Sequence, residues 1–314
     1  MSTDHTTYLS RLSELEDCAL CPRNCHANRF SSELGYCKSD ASFNISSICI
    51  HKGEEPPISG RDGICNIFFT HCNLQCIYCQ NYQISDITTG TQETRMALDE
   101  VICRITRILD KGIRRVGFVS PSHFIPQVKI IIDCIESLGY NPVWVYNTNG
   151  YDKVEALQTL EPLVDVYLPD FKYSDPGLAR SYSDAPAYPE TAKKVLKEMF
   201  QQKGSALITN EQGMAESGII IRHLVLPGEV QNSLGVLDFI EELSPKLHIS
   251  LMSQYFPTPK VSCHPKLGTT VSRAEYDDVI ERMERLGLSN GWIQELSSTS
   301  SFRPDFNKED PFEI

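Results

Sequence analysis

Asn66-Ile67-Phe68-Phe69-Thr70-His71-Cys72-Asn73-Leu74-Gln75-Cys76-Ile77-Tyr78-Cys79 is the stretch on which the reading of this chain turns. Its apolar beginning, 66–70, reads as a short buried strand. The strand delivers Cys72, Cys76 and Cys79 onto one tight loop, with three and then two residues between the thiols. Three cysteines so placed form a chelate. They are one ligand short of what a structural zinc or an ordinary four-iron cluster takes. A cubane held by three thiolates leaves one iron open to another ligand. The competing readings are three core cysteines, or a zinc site completed from elsewhere.

Around this stretch, the 314 residues suffice for one large α/β domain and an appendage. With 29 Lys+Arg against 41 Asp+Glu the net charge is −12, which argues against nucleic acid or an anionic membrane as the main partner. The longest basic run is 111–115, and no apolar stretch approaches the length of a membrane span. The start, Met1-Ser2-Thr3-Asp4-His5, is polar and lacks an apolar signal core, so the cytoplasm is the expected compartment. Twelve cysteines then point to metal and redox chemistry rather than disulfides. Cys103 and Cys134 fall in apolar helical stretches and read as buried hydrophobes.

A second cysteine group precedes the first. Cys18-Ala19-Leu20-Cys21-Pro22-Arg23-Asn24-Cys25, followed by Cys37, makes a complete four-ligand set. It reads as a second iron–sulfur cluster or a structural zinc, with reduced cysteines in a small lobe as the alternative. Such a lobe is too small to fold on a core of its own, which favours a metal staple. Residues 8–17 suit a short helix, and 41–50 a strand on the edge of the main sheet. In Gly53-Glu54-Glu55-Pro56-Pro57, two adjacent carboxylates before a Pro-Pro turn face the active site or lie in a solvated loop, and residue type alone favours the solvated loop.

After the cysteine loop, apolar strands alternate with amphipathic helices. Strands are expected at 66–70, 115–120, 142–147, 164–169, 218–226 and 248–252. Helices are expected at 95–112, 125–138, 152–160, 189–202, 232–243 and, opened by a capping box at Ser272-Arg273-Ala274-Glu275, up to about 286. Six such units predict an α/β fold, a partial (β/α)6 TIM-like barrel of parallel strands with a small Cys-rich N-terminal lobe. The division is 1–60 for the lobe and lead-in, 61–296 for the barrel and 297–314 for a tail across the surface, with Trp292 and Ile293 as its anchors. Chemistry in such folds sits at the C-terminal strand ends. Every strand exit here carries polar groups: Ser120-Pro121-Ser122-His123, Asn147-Thr148-Asn149-Gly150-Tyr151, Asp170-Phe171-Lys172, Arg222-His223, and Ser253-Gln254-Tyr255.

The cysteine spacing, with Tyr78 just before the third thiol, resembles the cluster loop of the radical S-adenosylmethionine (SAM) superfamily. Nearly the whole chain is similar to the pyruvate formate-lyase activating enzyme-like branch, and more closely to an uncharacterised iron–sulfur subgroup within it. The stretches that carry this are Cys-x2-Cys-Pro-Arg-x-Cys, Gly53 to Gly60, Phe68 to Leu74, Cys79-Gln80-Asn81, Ser120 to His123, Asp170-Phe171-Lys172, Met252 to Tyr255 and Phe302-Arg303-Pro304-Asp305-Phe306. The resemblance implies a [4Fe–4S] cluster on Cys72, Cys76 and Cys79, with SAM on its open iron. It implies reductive cleavage to a 5′-deoxyadenosyl radical that abstracts hydrogen from a protein or small-molecule substrate. A glycyl-radical enzyme is one such substrate, and flavodoxin or ferredoxin the kind of electron donor.

SAM needs an aromatic wall for adenine, acceptors for its ammonium, amides for its ribose and a cation for its carboxylate. Tyr78, Ser120, Asn147 with Asn149, and Lys172 or Arg222 are the candidates in that order. The Asp170/Lys172 pair would position SAM or substrate. In two respects the chain departs from the family pattern. Ser120 to His123 stands where a Gly-Gly-Glu-type segment is usual, and the extra cysteines precede the cluster loop instead of following it in an insert. Methyl or aminocarboxypropyl transfer from SAM, and a metal-stapled electron-transfer protein without catalysis, are the other functional readings.

Overall fold

The computed structural model describes residues 8, 10–88, 95–300, 303–308 and 310–313. The polar start at 1–5 and Phe302 of the tail stretch lie outside the described residues. The strands are β1 (Phe43–His51), β2 (Ile64–Phe69), β3 (Arg95–Met96), β4 (Arg115–Val119), β5 (Val143–Thr148), β6 (Val166–Pro169), β7 (Ile208–Thr209), β8 (Ala215–Leu224), β9 (His248–Met252) and β10 (Gly291–Ile293). They form one sheet in the order β10-β9-β8-β6-β5-β4-β2-β1-β3, with β7 paired to β8. From β2 to β10 that path is parallel. β1 lies antiparallel to β2 and carries β3 on its other edge. The sheet is not closed. It is the partial TIM-like barrel expected from the alternation of strands and helices, and all six expected strands are present. Among the described residues no helix is long and apolar enough to cross a membrane.

Side-chain alternation explains how this sheet makes both a core and a cavity. On β5, Trp144 and Tyr146 join the large core against the outer helices. Val145 joins a smaller cluster with Ile58, Ile64, Val166, Leu168 and Ile220. Ile58 comes from the short helix Pro56–Ser59, so the turn between β1 and β2 plugs the barrel. Further along the strands, Phe68, Val119, Asn147, Asp170, Arg222 and Met252 line a cavity. The inner face is therefore apolar toward the N-terminal ends of the strands and more polar toward their C-terminal ends.

The outer helices follow their apolar stripes. Helix Leu98–Leu109 buries Leu98, Val101, Ile105, Ile108 and Leu109. Helix Arg273–Arg285 starts at the expected capping box, with Ser272 and Glu275 bonded reciprocally. Three local features differ from expectation. Cys103 is exposed and Cys134 only half-buried; Cys103 lies off the buried stripe marked by Val101 and Ile105. Trp292 and Ile293, expected as anchors of the tail, lie in a seventh parallel strand, β10. Helix Pro176–Ser183, which apolar periodicity does not show, precedes helix Tyr188–Lys203. Asp175 caps it by accepting from the Leu178 amide at 2.8 Å, and Pro176 opens it.

The cysteine-rich lobe does not stand apart. Leu12, Leu15, Cys18 and Leu20 join the main hydrophobic core. Arg29, 1% exposed, donates to the carbonyls of Ser39, Asp40 and His123. Arg23 donates to the Asn73 carbonyl at 2.9 Å and stacks over Tyr36. The lobe is thus fastened to the cysteine loop and to the exit of β4.

Candidate cluster and cofactor site

The cysteine loop follows β2 directly, at the C-terminal edge of the parallel sheet. His71, just before the first cysteine, has φ 62°, and Ser120, just after β4, has φ 51°. Both are left-handed conformations, which cost a non-glycine residue about 1 kcal/mol or more and gather at functional sites. The end of helix Pro176–Ser183 holds the loop backbone: the Ile77 amide donates to the Tyr182 carbonyl at 2.8 Å.

Each of the three sulfurs meets its own donor. Asn149 Nδ2 lies 3.2 Å from Cys72 Sγ, which also takes the Leu74 amide at 3.4 Å. Ser183 Oγ donates to Cys76 Sγ at 2.9 Å, and Ser85 Oγ to Cys79 Sγ at 3.1 Å. Burial, with the neighbouring thiols adding to it, pushes the Cys72 thiol up to about 12 and the Cys79 thiol to about 11. Cys72 and Cys79 are therefore neutral thiols, whose protons a bound metal would displace. Among the described residues no three His, Cys, Asp or Glu side chains are grouped to hold a single metal ion. A cubane takes its thiolates at separate iron corners, so its ligands need not meet at one point. Three thiols on one loop, with a donor at each sulfur, fit a cluster with one open iron.

Cys72, Cys76 and Cys79 open onto a cavity of about 500 Å³. Tyr78, Ser120, Asn147, Asn149, Asp170, Lys172 and Arg222 all line it, together with Gln80 and Gln254. The other polar groups at the strand exits serve the scaffold. Ser122 bonds Thr148, and Ser253 donates to the Glu295 carbonyl. His123 is 1% exposed with its Nε2 on the Thr70 carbonyl, and burial lowers it to about 3, so it stays neutral. His223 bonds the Phe171 carbonyl and Ser233 and is likewise held down by burial, to about 4.

Within the cavity the individual settings differ. The Tyr78 ring meets Tyr173, Tyr182 and Tyr255 edge to face, and its hydroxyl accepts from Tyr173. Asn149 uses its amide on Cys72 and Asn73, whereas Asn147 donates to Glu54 at 3.4 Å. Lys172 Nζ lies 2.5 Å from Asp170 Oδ2. Burial opposes its charge, but Asp170 and then Cys76 raise its pKa, so it stays an ammonium beside Cys76 and Cys79. Arg222 pairs with Glu54 at 3.0 Å, Asp170 at 3.5 Å and Glu55 at 3.6 Å. Its guanidinium is engaged by three carboxylates, and Lys172 is the less committed cation.

Residue type misleads at Glu54 and Glu55. Both line the cavity rather than a solvated loop, because the turn they belong to plugs the barrel. Sequence reasoning also passes over Ser183 and Ser85. Their distance in sequence from Cys76 and Cys79 hides the contact, although the Asp175-Pro176 start signal marks the helix that carries Ser183.

The N-terminal cysteines are neighbours in one knuckle. Cys18, Cys21 and Cys37 are buried and Cys25 is exposed. Burial, with Cys37 and Cys18 nearby, raises the Cys21 thiol to about 12. These four, all among the described residues, are not grouped to hold a single ion, and their geometry singles out no metal.

No family model matches the chain. It is 27% identical over 277 residues to the uncharacterized protein MJ0674 of Methanocaldococcus jannaschii, covering 87% of this chain and 76% of that one. HydG, a maturase of the [FeFe]-hydrogenase, matches with a TM-score of 0.50 at 12% identity, over 71% of this chain and 48% of its own. SuiB of Streptococcus suis, solved with S-adenosylmethionine bound, matches at 0.48 and 12% identity, over 74% and 46%. HemN of Escherichia coli, a coproporphyrinogen III oxidase described as a radical SAM enzyme, matches at 0.44 and 10% identity, over 71% and 52%. The chain spans about half the length of these solved proteins. What it shares with HydG is the fold, an open α/β barrel with a mostly parallel sheet.

Proposed function

We propose that the chain is a radical SAM enzyme. The observation that carries this reading is the loop of Cys72, Cys76 and Cys79, each sulfur with its own donor, opening into the cavity at the C-terminal edge of the sheet. The bound cluster and SAM would supply an electron and a reductively cleaved sulfonium, giving a 5′-deoxyadenosyl radical for hydrogen abstraction. Cys72, Cys76 and Cys79 hold the cluster in this reading. Lys172, an ammonium beside Cys76 and 2.5 Å from Asp170, would take the SAM carboxylate, with Asp170 fixing its position. Ser120 and Asn147 offer polar groups for the ammonium and ribose, and the wall of Tyr78 excludes water from the adenine. Asn149, Ser183 and Ser85 hold the sulfurs.

The finer reading is an oxidoreductase of the activating-enzyme type. It works in the cytoplasm with electrons from a flavodoxin or ferredoxin and acts on a glycyl-radical enzyme, another protein or a small molecule. Cys18, Cys21, Cys25 and Cys37 would carry a second cluster or a zinc, and the anaerobic iron and zinc content of the loaded chain tests that.

Anaerobic reconstitution followed by dithionite and SAM is expected to release 5′-deoxyadenosine, read by mass spectrometry. Cys76→Ala should give a folded chain that releases none, and normal turnover in that variant would sink the assignment. S-adenosylhomocysteine or methylthioadenosine in place of 5′-deoxyadenosine would transfer the protein to methyl or aminocarboxypropyl chemistry. A loaded cluster whose electron paramagnetic resonance spectrum ignores SAM would favour the non-catalytic reading.

A further inference from the structure

The cavity has two chemically different regions. One is the cysteine loop with Lys172 beside it. The other is the barrel plug, which brings Glu54 and Glu55 up to Arg222. Asp170 meets the same guanidinium. Among the described residues the cavity lining holds four carboxylates, of Glu54, Glu55, Asp170 and Glu295, against the two cations Lys172 and Arg222. His51, also in the lining, does not offset this, since burial lowers its pKa.

Glu55 is the informative residue. It is only 8% exposed and lines the cavity. Its Oε1 lies 3.6 Å from Arg222 Nε, while its Oε2 is buried with no hydrogen-bond partner. A carboxylate oxygen in that setting has lost its water without gaining a donor. Burial accordingly raises the Glu55 pKa, with Arg222 the main group opposing it. A cation seated at Oε2 would supply the donor and restore the ionised form. Asp170 Oδ1, also against Arg222, likewise lacks a hydrogen bond. Arg222 Nε, itself buried without a hydrogen bond, faces Glu55 Oε1 at 3.6 Å and Asp170 Oδ1 at 3.5 Å as an ion-pair contact and leaves both orphaned oxygens unbonded, while Lys172 is held by Asp170. An anionic ligand would add to the excess negative charge. A neutral one would leave that charge in place.

We propose that this region, Glu55 with Glu54 and Asp170 around Arg222, binds a cationic nitrogen of the substrate, a protonated amine or a guanidinium. The proposal rests on the radical SAM reading only in calling the ligand a substrate. The binding itself requires neither the cluster nor turnover. The cation is the charged group of a small amine or of a lysine or arginine side chain.

The test is calorimetric titration of the full chain, as purified and again after cluster reconstitution with SAM present. The probes are butylammonium, agmatine, butyrate and butanol, with a short lysine-containing peptide as the polypeptide arm. Saturable binding of butylammonium or agmatine, but not of butyrate or butanol, is expected. Glu55→Gln, which keeps the side chain's shape, should weaken it at least about tenfold and leave SAM affinity unchanged. Tighter binding of the peptide supports a polypeptide source of the cation, and tighter binding of agmatine supports a small amine. No saturable binding of any cation would overturn the proposal, as would equal binding of butyrate. An equal loss of SAM affinity in Glu55→Gln would also overturn it, because the carboxylate would then belong to the SAM ammonium. A chain that binds amines yet never cleaves SAM separates failure of the catalytic reading from failure of this one.

Discussion

Ser183, Ser85 and Asn149 sit far from one another in the chain, yet each gives a hydrogen bond to a different cysteine of one loop. A donor to a thiolate stabilises the more negative, reduced form of a cluster, so such bonds raise its potential. Ser183 is the clearest case. Its hydroxyl is 2.9 Å from Cys76 and 2.6 Å from the Tyr173 hydroxyl. Ser183→Ala is expected to lower the potential of the reconstituted cluster by about 20–60 mV, the equivalent of one hydrogen bond of about 0.5–1.5 kcal/mol. A redox-poised paramagnetic resonance titration reads this directly. An unchanged potential would reduce Ser183 to a packing residue.

Among the elements, the outermost parallel strand depends on one glycine. Gly291 has φ 118°, and a Cβ there would collide with the Ile249 carbonyl oxygen across the β9–β10 pair. A strand of three residues has little else to hold it. Gly291→Val should therefore cost at least about 2 kcal/mol, from strain and crowding together, visible as a lower urea midpoint. A midpoint within error of the parent chain would show that β10 contributes nothing to stability. Gly117 on β4 is constrained differently: its Cβ would run into Asn66 Oδ1, on the side chain whose amide holds Glu54. The two glycines show the same sheet needing backbone room at its edge and side-chain room inside.

Across the fold, the cavity is made by both ends of an unclosed sheet. His51 and Phe68 reach it from β1 and β2, and Trp292 to Glu295 reach it from β10 and beyond. The C-terminal tail packs on the β1–β2 side. Phe306 and Phe312 lie against Phe68 at centroid distances of 5.3 and 5.6 Å, Phe312 meets His51 at 3.9 Å, and Asp305 accepts from Gln83 at 3.0 Å. Aromatic pairs of this kind add about 0.5–1.5 kcal/mol each. Replacing both phenylalanines by alanine is expected to release the tail but not the barrel. Proteolysis within 303–313 should then run at least about tenfold faster with far-ultraviolet circular dichroism unchanged. Equal cleavage rates would mean that the tail is held by other contacts.

From the order of residues alone come the six parallel units, the strand before them and the cysteine loop after the first. Alternating apolar strands and amphipathic helices have few ways to bury both faces, and three closely spaced thiols are a local signal. Asp170, Lys172, Asn147 and Arg222 also fall into one polar set at that level, because strand exits in such folds share an edge. The relations between distant segments came only with the packed fold. Glu54 and Glu55 read as solvent carboxylates until the plug carries them to Arg222, 168 residues from Glu54. Ser183 and Ser85 become sulfur donors, and a three-residue stretch becomes a strand on the strength of one glycine's fit. Periodicity and motif spacing record only what a residue's own element requires. The burial of a charge, and the partner that satisfies it, depend on which elements are packed together.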